Sequence, residues 1–285
     1  MEILDENVVE RGKTGFIAGA TGSGKSVSTL SFAASLDCQI WSAIWVHWST
    51  LEVSYLDLGT MQHGTIVDIV TFSLPRTRNN RLFVWLDGFN HANEDCNTLT
   101  RILYSQLKHD DRFGICTSTS SLGKRKMEDD ARAKIIFFFL YSWTQYEYLA
   151  VVTNQKIYDK VTSKFTGSSS YDVNDSDSSD EELSEDEKKK HVVQLKFQYA
   201  GGLCRFMFQY TTEEVKRVLE KGAEFVDKTD LVKYCDGTSH IGVIDHLYGM
   251  QSGRSKRFPV RSYTTFLFAA DCGEEVIQEL TRRIN

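Results

Sequence analysis

Eight consecutive residues, Gly19 to Ser26, read G-A-T-G-S-G-K-S and meet the spacing G-x-x-x-x-G-K-[S/T]. Glycines let a backbone curl until successive N–H groups point inward at phosphate oxygens. A helix that starts directly afterwards adds the positive end of its dipole. Lys25 would then reach the β- and γ-phosphates, and the Ser26 hydroxyl would ligate Mg²⁺. Gly19, Ala20, Thr21, Gly22, Ser23 and Gly24 would line the phosphate with their backbone.

A second stretch completes this chemistry. "RLFVWLDGF" is an apolar run that ends in Asp87, about sixty residues after Lys25. A buried strand of this kind delivers one carboxylate to the magnesium side of a phosphate loop. Asp87 is therefore expected beside Ser26 as the second metal ligand. Many ATPases with this motif place a glutamate next, to activate water, but here the position holds Gly88. The nearest acids beyond it, Glu94 and Asp95, are the candidates for that task. "GICTSTSS" is a strand that runs out into hydroxyl residues, and Thr117, Ser118 and Thr119 are the candidate contacts to the γ-phosphate, with a plain Ser/Thr-rich turn as the alternative. "GGLCRF" carries Arg205 after a Gly-Gly turn, a candidate cation for the transferred phosphate charge.

These groups need elements to hold them. "TGFIAGA" reads as a buried strand and "KSVSTLSFAASL" as the helix after the loop. "QIWSAIWVHWS" has tryptophans at helical spacing but strand-like composition, and a strand over 42–48 with the tryptophans in the core is expected. "HGTIVDIVTF", "RLFVWLDGF", "RFGICTSTSS" and "AKIIFFFLYSW" are further strands. "NEDCNTLTRILYSQLKHD" is a helix with Leu99, Ile102, Leu103 and Leu107 on one stripe. "TQYEYLAVVTNQKIYDK" is a helix opened by a Thr144–Glu147 capping box. Strands alternating with helices imply an α/β fold with a mainly parallel sheet, of the P-loop NTPase kind.

Three regions follow: a nucleotide-binding core over 1–160, an acidic serine-rich linker or loop over 161–190, and a lid-like part of mixed α and β structure over 191–285. The stretch 167–190 holds nine acids against three lysines, so it alone accounts for the chain's net charge of −6. Ser178, Ser179 and Ser184 each have an acid three residues on, which suits acid-directed kinases. In the last region "TTEEVKRVLEKGAEF" and "GEEVIQELTRR" read as helices, with two strands between them. The basic clusters "GKRK" at 123–126 and "GRSKRF" at 253–258 could meet nucleic acid or an import receptor, although short basic loops are common on any surface. Six cysteines without CxxC spacing fit reduced thiols inside a cell. The first residues, "MEILDENVVERG", do not read as a signal peptide, and the longest apolar run, "IIFFFLY", is too short to cross a bilayer.

Taken together, "GATGSGKS", "WLDG", "YSWTQYEYLA" and "GGLCRF" resemble the ATPase module shared by Crinkler effectors of oomycetes and fungi and the retrotransposon hot spot proteins of trypanosomes. The string Ser142 to Tyr148 and the later Gly-Gly-x-x-Arg are the specific parts. Relatives usually carry proline before that arginine, where this chain has Cys204. The resemblance implies Mg²⁺-dependent ATP binding and hydrolysis, in a chain related to AAA or STAND ATPases that acts as motor or switch of an effector. More distantly it implies delivery to a host nucleus, with nucleic acid, a host nuclear protein or a second copy of the chain as partners. A nucleotide-gated interaction module that hydrolyses little is the alternative, kept open by Gly88. A small-molecule kinase is the third reading, and the absence of an obvious arginine-rich lid speaks against it.

Overall fold

β-branched and aromatic residues gather in short runs along this chain, and most of those runs build strands of one sheet. The computed structural model describes residues 2–49, 51–76, 80–119, 121–123, 127–165, 184–224, 248–250 and 257–259, with positions 263, 264, 267 and 278. The chain divides into two units, Met1–Gly19 with Lys25–Leu140, and Ala20–Gly24 with Tyr141–Asn285.

The first unit opens with α1 (Glu2–Leu4), which runs into a π-helical turn, Asp5–Glu10. It continues through β1 (Thr14–Gly19), α2 (Lys25–Ser35), β2 (Trp41–Trp48), β3 (Val53–Asp57), β4 (His63–Thr65) and β5 (Arg81–Phe89). α3 (Glu94–Ser105), β6 (Arg112–Ser118), α4 (Met127–Arg132) and β7 (Ile135–Leu140) complete it. The strands form a seven-stranded sheet in the order β4-β3-β2-β5-β6-β1-β7. Its five strands from β2 to β7 are parallel, and β3 and β4 are an antiparallel edge. The fold is therefore α/β, with a mostly parallel mixed sheet flanked by helices.

Alternation along the strands builds a core on each face. Phe16, Ile44, Val84, Leu86 and Ile115 pack with Leu99 and Leu103 of α3 on one side. Ile17, Trp45, Phe83 and Trp85 pack with Phe32 and Ala33 of α2 on the other. β5 is buried on both faces except at its first residue and Gly88, as the centre of a parallel sheet demands. Trp41 and Trp45 are core residues, as expected, whereas Trp48 lies on the opposite face and is only partly buried. Trp85 fits because the neighbouring strand offers Gly114: a Cβ there would stand 2.2 Å from the indole.

Two expectations need correction. "HGTIVDIVTF" supplies only the three-residue β4, because it is the outer strand of the antiparallel edge, and β3 is the strand beside it that the pattern did not reveal. The long helix after Thr144 is two helices, α5 (Gln145–Val152) and α6 (Gln155–Val161). Asn154 adopts an extended backbone and caps the second through its side chain, so the break is built from a cap. The Thr144–Glu147 capping box is present as read.

The second unit consists, in its described parts, of helices and one short strand pair. It continues with α7 (Glu185–Ala200), α8 (Cys204–Phe208) and α9 (Thr212–Glu224), and later a short antiparallel pair, β8 (Tyr248–Met250) and β9 (Arg257–Pro259). Tyr148, Val193, Phe197, Phe206, Met207, Val215 and Leu219 form its core. Most of the acidic serine-rich stretch lies outside the described residues, as do the final helix, residues 124–126 and residues 253–256. The stretch's last residues, however, are the first turns of α7. Ser184 and Glu187 close a capping box there, and three acids sit at the positive end of the helix.

Candidate functional site

Parallel strands align their C-terminal ends, and here those ends carry the polar residues. His47 is in register with Asp87, Asp87 with Cys116, and Gly19 with Ser118. The C-terminal edge of an open α/β sheet is where such folds bind ligands. The segment Ala20–Gly24 leads from β1 to α2, whose first residues are Lys25 and Ser26. A helix N-terminus and its unsatisfied N–H groups are therefore part of the first unit at this edge.

Asp87 is the centre of the arrangement. Its side chain is 8 % exposed. Ser26 donates from Oγ to Asp87 Oδ1 at 2.8 Å, although the two residues are 61 apart in sequence. His47 Nδ1 stands 3.0 Å from Asp87 Oδ2. A carboxylate can only accept, so Nδ1 carries the proton and the imidazole is fixed through that nitrogen. The hydrogen bond to Asp87 raises the His47 pKa above the ordinary histidine value, against the lowering effect of partial burial. Lys25 Nζ donates to the Gly19 carbonyl at 3.2 Å, which folds the ammonium back along the end of β1.

Beneath these groups lies a buried polar pair. Thr29 Oγ1 and Cys116 Sγ are 3.1 Å apart. Burial raises the Cys116 thiol to about 12, with Asp87 adding to the effect, so it is no nucleophile at neutral pH.

Position 88 is closed to any side chain. Gly88 has φ +86°, and a Cβ there would stand 2.3 Å from the Trp48 carbonyl oxygen. A β-bulge interrupts the β5–β6 register between Asp87 and Phe89. The buried Thr117 hydroxyl donates to the Phe89 carbonyl at 2.8 Å within it. Thr117 is thereby committed to the strand beside Asp87. Glu94 and Asp95 are exposed in the first turn of α3, after the cap Asn93.

The second unit holds the other sequence candidates. Ser23 is fully buried, and its hydroxyl has no hydrogen-bond partner. Gly22 has φ +81°, and Gly24 has φ +94° with open space where a Cβ would be. The Arg205 backbone nitrogen donates to the Gly22 carbonyl at 3.4 Å, and Gly22 lies against the Cβ atoms of Arg205 and Leu203. The Arg205 side chain is exposed.

The strings "YSWTQYEYLA" and "GGLCRF" also meet in this unit. Trp143 donates its backbone N–H to the Gly202 carbonyl at 2.9 Å. A Cβ at Gly202 would stand 2.5 Å from that of Ser142, so only glycine allows this approach. The Tyr148 hydroxyl lies 3.9 Å from Cys204 Sγ.

His47 is the functional candidate that reading by motif missed. A signal was present: an ionisable residue stands near the end of the apolar run "WSAIWVHW", much as Asp87 stands at the end of its own. No protein-family model matches the chain, and neither does any curated protein. Among the described residues no helix is long and apolar enough to cross a membrane.

Proposed function

We propose that this chain is a P-loop NTPase that binds ATP with Mg²⁺ and hydrolyses it. One observation carries the reading: Ser26 and Asp87, which the sequence offers as separate halves of a metal site, share a hydrogen bond of 2.8 Å at the C-terminal edge of the sheet.

The donor set fits magnesium. Among the described residues no cluster of three or more His, Cys, Asp or Glu could hold a metal alone. Mg²⁺ in nucleotide sites takes one or two protein oxygens and fills its shell with phosphate and water. Asp87 and Ser26 supply a carboxylate and a hydroxyl of that kind. When bound, the metal would neutralise charge on the β- and γ-phosphates. The backbone of Gly19 to Gly24 would cradle the phosphates, helped by the α2 dipole. Positive φ at Gly22 and Gly24, and the unpartnered buried Ser23 hydroxyl, support this use of the loop. Lys25 would leave the Gly19 carbonyl for phosphate oxygens. Arg205, tethered by its backbone to Gly22, is the proposed cation on the γ-phosphate. Thr117 supports this reading indirectly, by holding the strand that presents Asp87.

A second reading has its own observation. Because position 88 cannot hold the usual glutamate, ATP could be bound and little hydrolysed, with the nucleotide gating an interaction surface. The packing of "YSWTQYEYLA" on "GGLCRF" supports a relationship to the Crinkler and retrotransposon hot spot ATPases. Under that relationship the chain serves an effector in a host cell, with nucleic acid, a nuclear protein or further copies of itself as partners.

The deciding experiment is ATP turnover and ATP-analogue binding in wild type, Lys25→Ala, Asp87→Asn and Arg205→Ala. Turnover that needs Mg²⁺, falls by roughly tenfold or more in each variant and survives in binding for Arg205→Ala is expected. Binding without turnover above the Lys25→Ala background would leave the gated module. Equal binding by Lys25→Ala would sink the phosphate-loop assignment.

A further inference from the structure

Hydrolysis by this site lacks one part. A nucleophile must be held in line with the bond that breaks, and the glutamate that commonly does so cannot stand at position 88. Glu94 and Asp95 sit exposed on α3, whereas the residue beside Asp87 across the sheet is His47.

His47 has the attributes of such a holder. It stands one residue before the end of β2 in direct register with Asp87, so two parallel strands set its backbone. Nδ1 is tied to Asp87 Oδ2 at 3.0 Å, which fixes the ring and its tautomer. In the neutral ring Nε2 is then the acceptor, and it has no partner among the described residues. The two Asp87 oxygens are used differently: Oδ1 faces Ser26 and Oδ2 faces His47. Use of Oδ1 by a metal therefore leaves the bond that orients the imidazole intact. The ring is half exposed and lines a cavity of about 350 Å³ together with Trp45, Glu52, Tyr55 and His63. The cavity lies on the β3 side of His47, away from β5, and it is the half exposure of the ring that lets water reach it.

We infer that His47 positions the attacking water of ATP hydrolysis, with Asp87 orienting the imidazole and Nε2 accepting a hydrogen bond from the water. This rests on the ATPase reading above and assigns the part that Gly88 cannot play. In the step, the water oxygen forms a bond to the γ-phosphorus while the bond from that phosphorus to the β–γ bridging oxygen breaks. The electron pair of the broken bond stays on ADP. One water proton remains on the product as hydrogen phosphate, and the other is released to solvent. The same geometry would hold a substrate hydroxyl in place of water if the cavity took one. Phosphate released as free product is the outcome that assigns water.

The test compares wild type, His47→Ala, His47→Gln and Lys25→Ala. Free phosphate release, affinity for a fluorescent ATP analogue and the Mg²⁺ concentration for half-maximal rate are measured for each. His47→Ala is expected to lose turnover by roughly tenfold or more. Analogue affinity and Mg²⁺ requirement should stay within about twofold of wild type. His47→Gln keeps a donor for Asp87 and an acceptor for water. It should therefore fold even where alanine does not, and should recover part of the lost rate. Wild-type turnover in His47→Ala overturns the inference and leaves the ATPase reading standing. So does a loss that is restored by excess Mg²⁺, since His47 would then act only on the metal. A wild-type rate no higher than that of Lys25→Ala removes hydrolysis itself, and with it any water for His47 to hold.

Discussion

Lys196 and Asp87 are both buried ionisable residues, but their surroundings differ in kind. Lys196 has no exposed surface, and its ammonium donates to three backbone carbonyls, of Lys164, Met207 and Tyr210, at 2.8, 2.7 and 2.5 Å. Three protons meet three acceptors at the ends of helical segments, where carbonyls lack partners of their own. Phe165 covers the group, with the ammonium 5.1 Å from its ring centre. Nothing is left over for a ligand. Asp87 instead meets two side chains, one of them half exposed, at the open edge of a sheet. Its partners can turn away to a ligand without leaving an orphaned backbone group. A buried charge closed by backbone is a structural fastener. A buried charge closed by side chains at a strand end is ready for chemistry.

The largest effect should come from breaking the fastener. Lys196→Met keeps the apolar stem and strands three carbonyls. Each buried orphan costs about 1 kcal/mol or more, so stability should fall by on the order of 3 kcal/mol. Urea unfolding reads this directly. A variant as stable as wild type would mean that Lys196 is not what holds α8 to the end of the segment after α6.

Next comes the closed position beside Asp87. Gly88→Glu supplies the glutamate that many ATPases have, but in a left-handed backbone and against the Trp48 carbonyl. A loss of about 2 kcal/mol or more in stability is expected, with no gain in turnover. Faster hydrolysis in a fully stable variant would contradict the geometry described for this site.

Lys25→Ala removes an ammonium that donates to the Gly19 carbonyl at the end of β1; the fold is expected to remain and ATP binding to weaken. A lost charge-assisted contact of about 2 kcal/mol corresponds to roughly thirtyfold in Kd. Calorimetric titration with ATP and Mg²⁺ measures it.

Protonation offers a gentler probe. Burial lowers Lys196 to about 7 from 10.5, with Lys164 adding and Glu214 opposing. Between those values the unfolded chain holds the proton more tightly than the folded one, so stability should rise with pH from about 7 towards 10.5. Lys196→Met should lack that rise. Urea midpoints at both ends of the window compare the two, and parallel slopes would show that the three carbonyls keep the ammonium charged throughout. The smallest expected change is at a cap: Thr144→Ala removes the box that starts α5 and should cost about 1 kcal/mol, visible as a small fall in Tm.

Much of the fold was legible because its signals are local. Apolar runs that end in glycine or a polar residue read as buried strands, and β1, β2, β5, β6 and β7 lie where such runs stand. The capping box at Thr144 is a four-residue pattern and needed no tertiary context. Antiparallel edges are less legible, since β3 is only partly buried and β4 is three residues long. The start of α7 was hidden because its first turns are purely charged, and acids there are stabilised by the helix dipole rather than by burial.

By itself, the sequence determined the G-x-x-x-x-G-K-S spacing over Gly19–Ser26, the placing of Asp87 at a strand end and the alternation that makes an α/β sheet. Only the tertiary structure decided what stands next to what. The strand order sets β2 beside β5, and this alone turns His47 from one histidine among seven into the partner of Asp87. The positive φ at Gly88 and the nearby Trp48 carbonyl explain why no acid follows Asp87. Register between strands forty residues apart depends on which edges pair and on what both faces bury. No local pattern carries that information.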